Sequence, residues 1–419
     1  MTNNILQEWV HRVESSLEYT PDQDTLIDVV QELLAYHNEL DLTAKVAAVK
    51  NIGFFMLDTR IDKKIRTKCA EMLEDVIENE VEMALIQELL RLLPKIRDDK
   101  LTKGGRRNTK ENLSLKPKMG YSARDEDERQ AWIQNGGKRS VSLFYVVLRN
   151  LAHSDISANL WWITPGILNV IDDTTDLVNV RLQGVTLLHT FLTCTIDMHC
   201  PSRFDFSKTG VFELFESSLT GMCYKFPGAD SAEVICEVWN NVLPTLIELY
   251  RIQFWDSEQK YQNHLDKLLS DLLLQSMIPR VSSDYAQLSI IGLNYVRQIL
   301  RTLGPASTLH IQRIIYTLGE YFVRNPFITL FPPLMHETLQ TLQTAVEVCP
   351  NSRVSAHKYD LLAVIVILFE KCRAEGSLDD DITLRLRNFV KLLISCGCSW
   401  SSAELSLLQD RKLDVLALA

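Results

Sequence analysis

The chain has 419 residues, 46% of them hydrophobic, and a formal net charge of −10. That is enough apolar material for a large core, and the acid excess disfavours a protein whose whole surface binds nucleic acid. Glycine (16) and proline (13) are too scarce for the many turns of a β-sheet fold, and nine scattered cysteines, an odd number, argue for free thiols in a reducing compartment. Residues 1–10 lack the basic head and apolar run of a signal peptide. The most apolar stretch, 361–369, is far shorter than the ~20 residues that cross a bilayer. It is expected to be a buried helix.

Residues 1–97 read as helical repeats. Leu26, Val29, Val30, Leu33 and Leu34 form one amphipathic stripe, and Val46, Val49, Ile52 and Leu57 another. Ile65, Cys69, Met72 and Val76 follow, then Val81, Leu85, Leu89 and Leu92, with Pro94 ending the block. Residues 98–140 differ. Lysines and arginines from Lys100 to Lys118 sit among Gly104, Gly105 and Pro117, and Gly136-Gly137 closes the stretch. Apolar residues are too sparse there to offset the entropy of ordering, so a charged linker or surface loop is expected.

Helical pattern resumes at Val141 and runs to the C-terminus, giving a third region, 141–419. Its best-defined unit is 161–194. Pro165 is expected to open a helix through Ile171, Asp172-Asp173 to begin a loop, and Val178 to begin the next helix. On that second helix Asn179, Gln183, Thr186, Thr190 and Thr193 share one polar stripe, with apolar residues covering both flanks. An arc this wide is covered on more than one side, as in the inner helix of a stacked helical hairpin. Arg181 falls inside the arc and calls for a carboxylate partner, with Asp172 or Asp173 close in sequence. Weaker copies follow. One helix, Tyr285 to Leu303, stops at Gly304-Pro305, the next is lined from Leu309 to Phe322, and another follows the acidic turn Asp379-Asp380-Asp381. Units start roughly 40–50 residues apart, the period of HEAT-type hairpins. The expected fold is all-α, an α-solenoid of HEAT-like helical hairpins.

Catalytic signatures are missing from the sequence, and no enzyme, cofactor or metal is expected. Gly136 to Ser140 superficially resembles a phosphate loop, but Trp132 stands where the first glycine belongs. Cys396 with Cys398 and His199 with Cys200 are mismatched pairs far apart, unlike zinc ligands, and buried thiols in helix contacts are the simpler reading. The adjacent Trp161 and Trp162 point roughly 100° apart on a helix, so both lie in the core or one faces a partner.

The run Trp162, Pro165, Ile167-Leu168, Ile171-Asp172-Asp173, Arg181, Gly184 and Leu187-Leu188-His189 resembles the second Tel-Two-interacting protein family, the small HEAT-repeat subunit of the Triple-T complex. The resemblance continues through residues 222–250 and 295–322, including Leu303-Gly304-Pro305. It implies a scaffold without catalytic residues, cytoplasmic and nuclear. Its implied partners are the first Tel-Two-interacting protein, the Tel-Two protein, and the ninety-kilodalton heat-shock chaperone with its adaptors. Its implied clients are the phosphatidylinositol-3-kinase-related kinases, and the processes it would touch are TOR signalling, the DNA damage response and telomere maintenance. Trp161, Trp162, Pro165, Asp172, Asp173, Arg181 and Gly184 are the residues expected to form a structural ladder or a partner surface. The competing reading is another HEAT-repeat adaptor, for transport or for a phosphatase.

Overall fold

The computed structural model describes residues 4–93, 130–173, 176–194, 205–228 and 230–410. Among them the regular structure is helical throughout, with one isolated β-bridge between Pro227 and Asp230 and no named strand. No helix among the described residues is long and apolar enough to cross a membrane. Cα packing divides the chain into two compact units, Met1–Gly221 with Pro244–Gln253, and Met222–Leu243 with Phe254–Ala419.

The first unit begins with α1 (Asn4–Ser15), α2 (Gln23–Tyr36), α3 (Leu42–Gly53), α4 (Lys63–Glu74) and α5 (Asn79–Leu92). It continues through α6 (Lys138–Asn150), α7 (Ile156–Ile171) and α8 (Leu182–Cys194). Helix starts follow from local chemistry. Asp22, Asp41 and Asp62 each accept a backbone N–H of the first turn, at 2.8, 2.7 and 2.8 Å. Helices pack chiefly on the next but one along the chain, and in places on their neighbour. α1 lies on α3, α3 on α5, α5 on α6 and α6 on α8, while α2 lies on α4. That order of contact is the signature of stacked hairpins, in which every repeat buries its face on the adjacent repeat.

The second unit repeats the scheme. One layer holds α12 (Ala286–Leu303), α14 (Pro332–Val348) and α17 (Asp380–Ser395) in successive contact. The other holds a helix running from Glu258 to Val281, then α13 (Ile311–Leu318) with the π-turn Gly319–Val323 that prolongs it, then α16 (Lys358–Ala374). α12 ends at Gly304, whose φ of 53° suits glycine. Asp379 caps α17, accepting the Ile382 N–H at 2.7 Å. Leu361, Leu362, Val364, Ile365, Leu368 and Phe369 of the apolar stretch are buried, as the pattern predicts.

Several expectations are corrected. Pro165 lies inside α7, nine residues from its start at Ile156, and not at its opening. The second helix of that unit, by contrast, starts within one residue of the expected Val178: a π-turn, Leu177–Arg181, capped by Asp176 accepting the Asn179 N–H at 2.9 Å, runs directly into α8 at Leu182. Leu309 does not line a buried stripe. It stands in the 3₁₀ turn Gly304–His310 and is 85% exposed. Helical structure also starts at Gln130, so residues 130–140 of the expected linker are ordered, and Gly136 (φ 91°) is a kink within helical chain. The basic run from Lys100 to Lys118 lies outside the described residues, as does the His199-Cys200 pair.

Candidate partner-binding surface

The tryptophan pair divides. Trp162 is 2% exposed, packs against Phe144 with ring centroids 5.4 Å apart, and donates its indole N–H to Asn159 Oδ1 at 2.8 Å. Trp161, on the next helical position, is 44% exposed. One ring therefore fixes α7 on α6, and the other is left at the surface.

Pro165 has no N–H to donate along α7 and its neighbours adapt. The preceding Thr164 is buried and turns its hydroxyl onto the Leu160 carbonyl at 2.9 Å. Gly166 sits against Phe144, where an added Cβ would come within 2.8 Å of the ring. Gly184 is more constrained still. A Cβ there would approach the backbone N of Ile171 at 2.7 Å and the Val170 carbonyl carbon at 3.0 Å. Glycine at this point lets α8 lie directly on the last turn of α7. Asp173 is buried, and Asp172 and Arg181 are half-buried. Trp161, Trp162 and Pro165 lie on α7, Asp172 and Asp173 follow it, Arg181 ends the π-turn and Gly184 lies in the first turn of α8, so all seven residues fall on one hairpin.

The polar stripe from Asn179 along α8 is largely turned inward, with Thr193 at its end exposed. Gln183 donates to the Leu57 carbonyl at 2.9 Å, and Ser142 Oγ accepts the Leu57 N–H at 3.2 Å. Asn179 Oδ1 accepts the Thr59 hydroxyl at 3.1 Å. Side chains of two successive hairpins therefore bracket the turn that ends α3. Thr186 and Thr190 return their hydroxyls to carbonyls one turn back, at 3.2 and 2.9 Å. Hydrogen bonding within the protein, not solvation, accounts for the stripe.

Arg139 completes this joint. It donates to the carbonyls of Val13, Ser16 and Tyr19 at 2.9, 2.8 and 3.1 Å, and its guanidinium stacks over Phe55. It thereby caps the C-terminal end of α1. The composition of residues 98–140 hid this residue; the return of apolar periodicity at Val141 marked only the next turn.

A cleft of about 700 Å³ opens beside these contacts, bounded by Leu17, Phe54, Arg60, Lys138 and Asn179 among others. Its cations are matched. Arg60 pairs with Asp58 at 2.7 Å, Lys138 with Asp176 at 3.0 Å, and Arg139 with the three carbonyls. Burial pushes the Asp58 carboxyl up, but hydrogen bonds and charge from Arg60 outweigh it and hold the group below its ordinary value. With its charges already paired, the cleft is a structural joint and not an anion site.

Among the described residues, the cysteines are free thiols. Burial pushes the thiols of Cys194 and Cys223 up to about 12, far from the thiolate. Cys396 and Cys398 are buried as free thiols, and no group of three or more metal-ligating side chains occurs among the described residues.

Comparison with known proteins places this architecture. A model of the Tti2 family matches residues 29–330, more than half of the chain. TEL2-interacting protein 2 of Saccharomyces cerevisiae is 37% identical over 368 residues, covering 86% of each chain. The hairpin around Gly184 lies inside the matched residues 29–330, and the chain belongs to the Tti2 family.

Proposed function

We propose that this chain is a non-catalytic scaffold subunit of the Triple-T complex, held to a Tel2-type protein and to the first Tel-Two-interacting protein. Through that complex it supports the folding, assembly and stability of phosphatidylinositol-3-kinase-related kinases, together with the ninety-kilodalton heat-shock chaperone. The observation that carries the reading is 37% identity to a yeast protein named for its interaction with TEL2, sustained over 86% of both chains. Similarity of that extent spans both packed units and not one motif.

The physical chemistry fits a scaffold. Stacked helical hairpins offer a long surface for their mass. The conspicuous polar groups of the first unit are spent on joining hairpins, and the thiols with the largest shifts are pushed away from reactivity. Exposed aromatic and aliphatic side chains such as Trp161, Trp255 and Phe327 are the kind that anchor protein interfaces. A surface of this type serves in both the cytoplasm and the nucleus.

Affinity purification of the tagged full chain followed by mass spectrometry tests the proposal. Recovery of the two larger Triple-T subunits at near-stoichiometric levels is expected. A purification that instead yields small GTPases or phosphatase subunits, without those two proteins, contradicts it.

A further inference from the structure

The turn that leads from Val323 into α14 carries its apolar residues outward. Pro326, Phe327, Leu330, Phe331, Pro332 and Pro333 are all exposed, Leu330 at 67%. Single apolar residues at a surface are ordinary, whereas a contiguous group with a polar border marks an interaction site.

The turn is held in place by side chains from the segments around it. The Lys371 ammonium, on α16, donates to the carbonyls of Val323 at 2.8 Å and Asn325 at 2.6 Å. Asn325 accepts the Phe327 N–H on its Oδ1 at 2.8 Å and donates from Nδ2 to Ser283 Oγ. Thr329, buried in the 3₁₀ turn Ile328–Leu330, donates its hydroxyl to Glu375. Lys371 gives up solvation in this role, and burial pulls its pKa below the ordinary value. Ordering an interface opposes binding, and a turn fixed in advance avoids that loss.

The border of the turn has a sign. Thr329 bonds to Glu375, and the His336 ring lies 3.8 Å from Asp381, so the exposed residues between them run alongside the turn 375–381. That turn holds four carboxylates, Glu375, Asp379, Asp380 and Asp381, and no basic residue. Asp381 pairs with Arg385 at 2.7 Å, and Asp379 caps α17. Asp380 is exposed and has no ion-pair partner among the described residues. On the other side Arg324 is paired with Glu320.

We propose that this turn is a docking knob, whose Phe327, Leu330 and Phe331 enter an apolar pocket of a protein partner with lysine or arginine on its rim opposite Asp379 and Asp380. The four carboxylates repel phosphate, which disfavours an anionic membrane or a nucleic acid as the occupant. The inference rests on the function proposed above, since it places the partner within the same assembly.

The test is a calorimetric titration of the purified full chain with a purified pair of the Tel2-type protein and the first Tel-Two-interacting protein. Leu330→Asp places a charge in the apolar pocket, and Asp380→Lys inverts the border. Each variant is expected to bind about tenfold more weakly or worse, and the affinity of the unmodified chain is expected to fall with added salt. Both positions are exposed, so the helical circular-dichroism spectrum should be retained. If Leu330→Asp unfolds, the exposed Phe327→Ser decides in its place. Full affinity in both variants overturns the knob and leaves the complex standing. A dimer of the free chain that Leu330→Asp breaks overturns it too, since the occupant is then a second copy. Failure of the unmodified chain to bind overturns both the knob and the proposed function.

Discussion

Gly184 shows how a single missing methyl group sets a helix pair. Ile171 and Val170 present backbone atoms to the α-carbon of Gly184, and backbone cannot swing aside as a side chain can. Gly184→Ala should therefore lower stability by about 1–3 kcal/mol, the usual cost of overpacking, despite alanine's better helix propensity. Urea unfolding measures it, and a stabilised variant would contradict the close approach. Glu82 is a second case in which two effects oppose. It lies in the first turn of α5, where a helix favours negative charge, yet it is buried. Burial, and secondarily the charge of Asp155, raises its carboxyl above the ordinary value. A group whose folded pKa is raised in this way penalises the fold above that pKa, and the penalty vanishes below the unfolded value. Glu82→Gln should then be more stable than the parent at pH 7, with the gain gone at about pH 3.5, where the glutamate is protonated in both states. A gain that persists in acid would show that charge is not the cause.

At the scale of elements, the joint built by Arg139, Ser142 and Gln183 explains which parts of the fold were legible in the sequence. Three- and four-residue apolar spacing located α2 to α5, α12 to α14, α16 and α17 because burial imposes that period on any packed helix. It also identified the α7–α8 hairpin from Pro165, Asp172-Asp173 and Gly184. Periodicity could not place the start of α7, because Pro165 is tolerated inside the helix once Thr164 and Gly166 adapt around it. Nor could it show where Asn179 and Gln183 point, since their partners Thr59 and Leu57 are more than a hundred residues away. Arg139 was hidden for the same reason, as its three carbonyl partners lie at the end of α1. Arg139→Gln should cost about 1.5–3 kcal/mol, the range for a hydrogen bond to a charged group, and the loss should concentrate in α1. Hydrogen exchange accelerated in residues 4–20 would show this. Arg139→Lys should restore only part of the protection, because one ammonium cannot reproduce the planar fork of the guanidinium. Exchange left unchanged by Arg139→Gln would refute the clamp.

For the whole molecule, each of the two units builds its core from stacked hairpins, a mode of folding that adds surface as it adds length. The Tti2 family match over residues 29–330 covers most of the first unit and the beginning of the second, and the resemblance read from the sequence lies in the same span. The function proposed above has this surface held by a Tel2-type partner. Native mass spectrometry of the tagged chain, isolated gently from its own cells, addresses it most directly. The prediction is a single assembly containing this chain together with the Tel2-type protein and the first Tel-Two-interacting protein. A chain recovered only as a free monomer, with neither protein in any assembly, would contradict it.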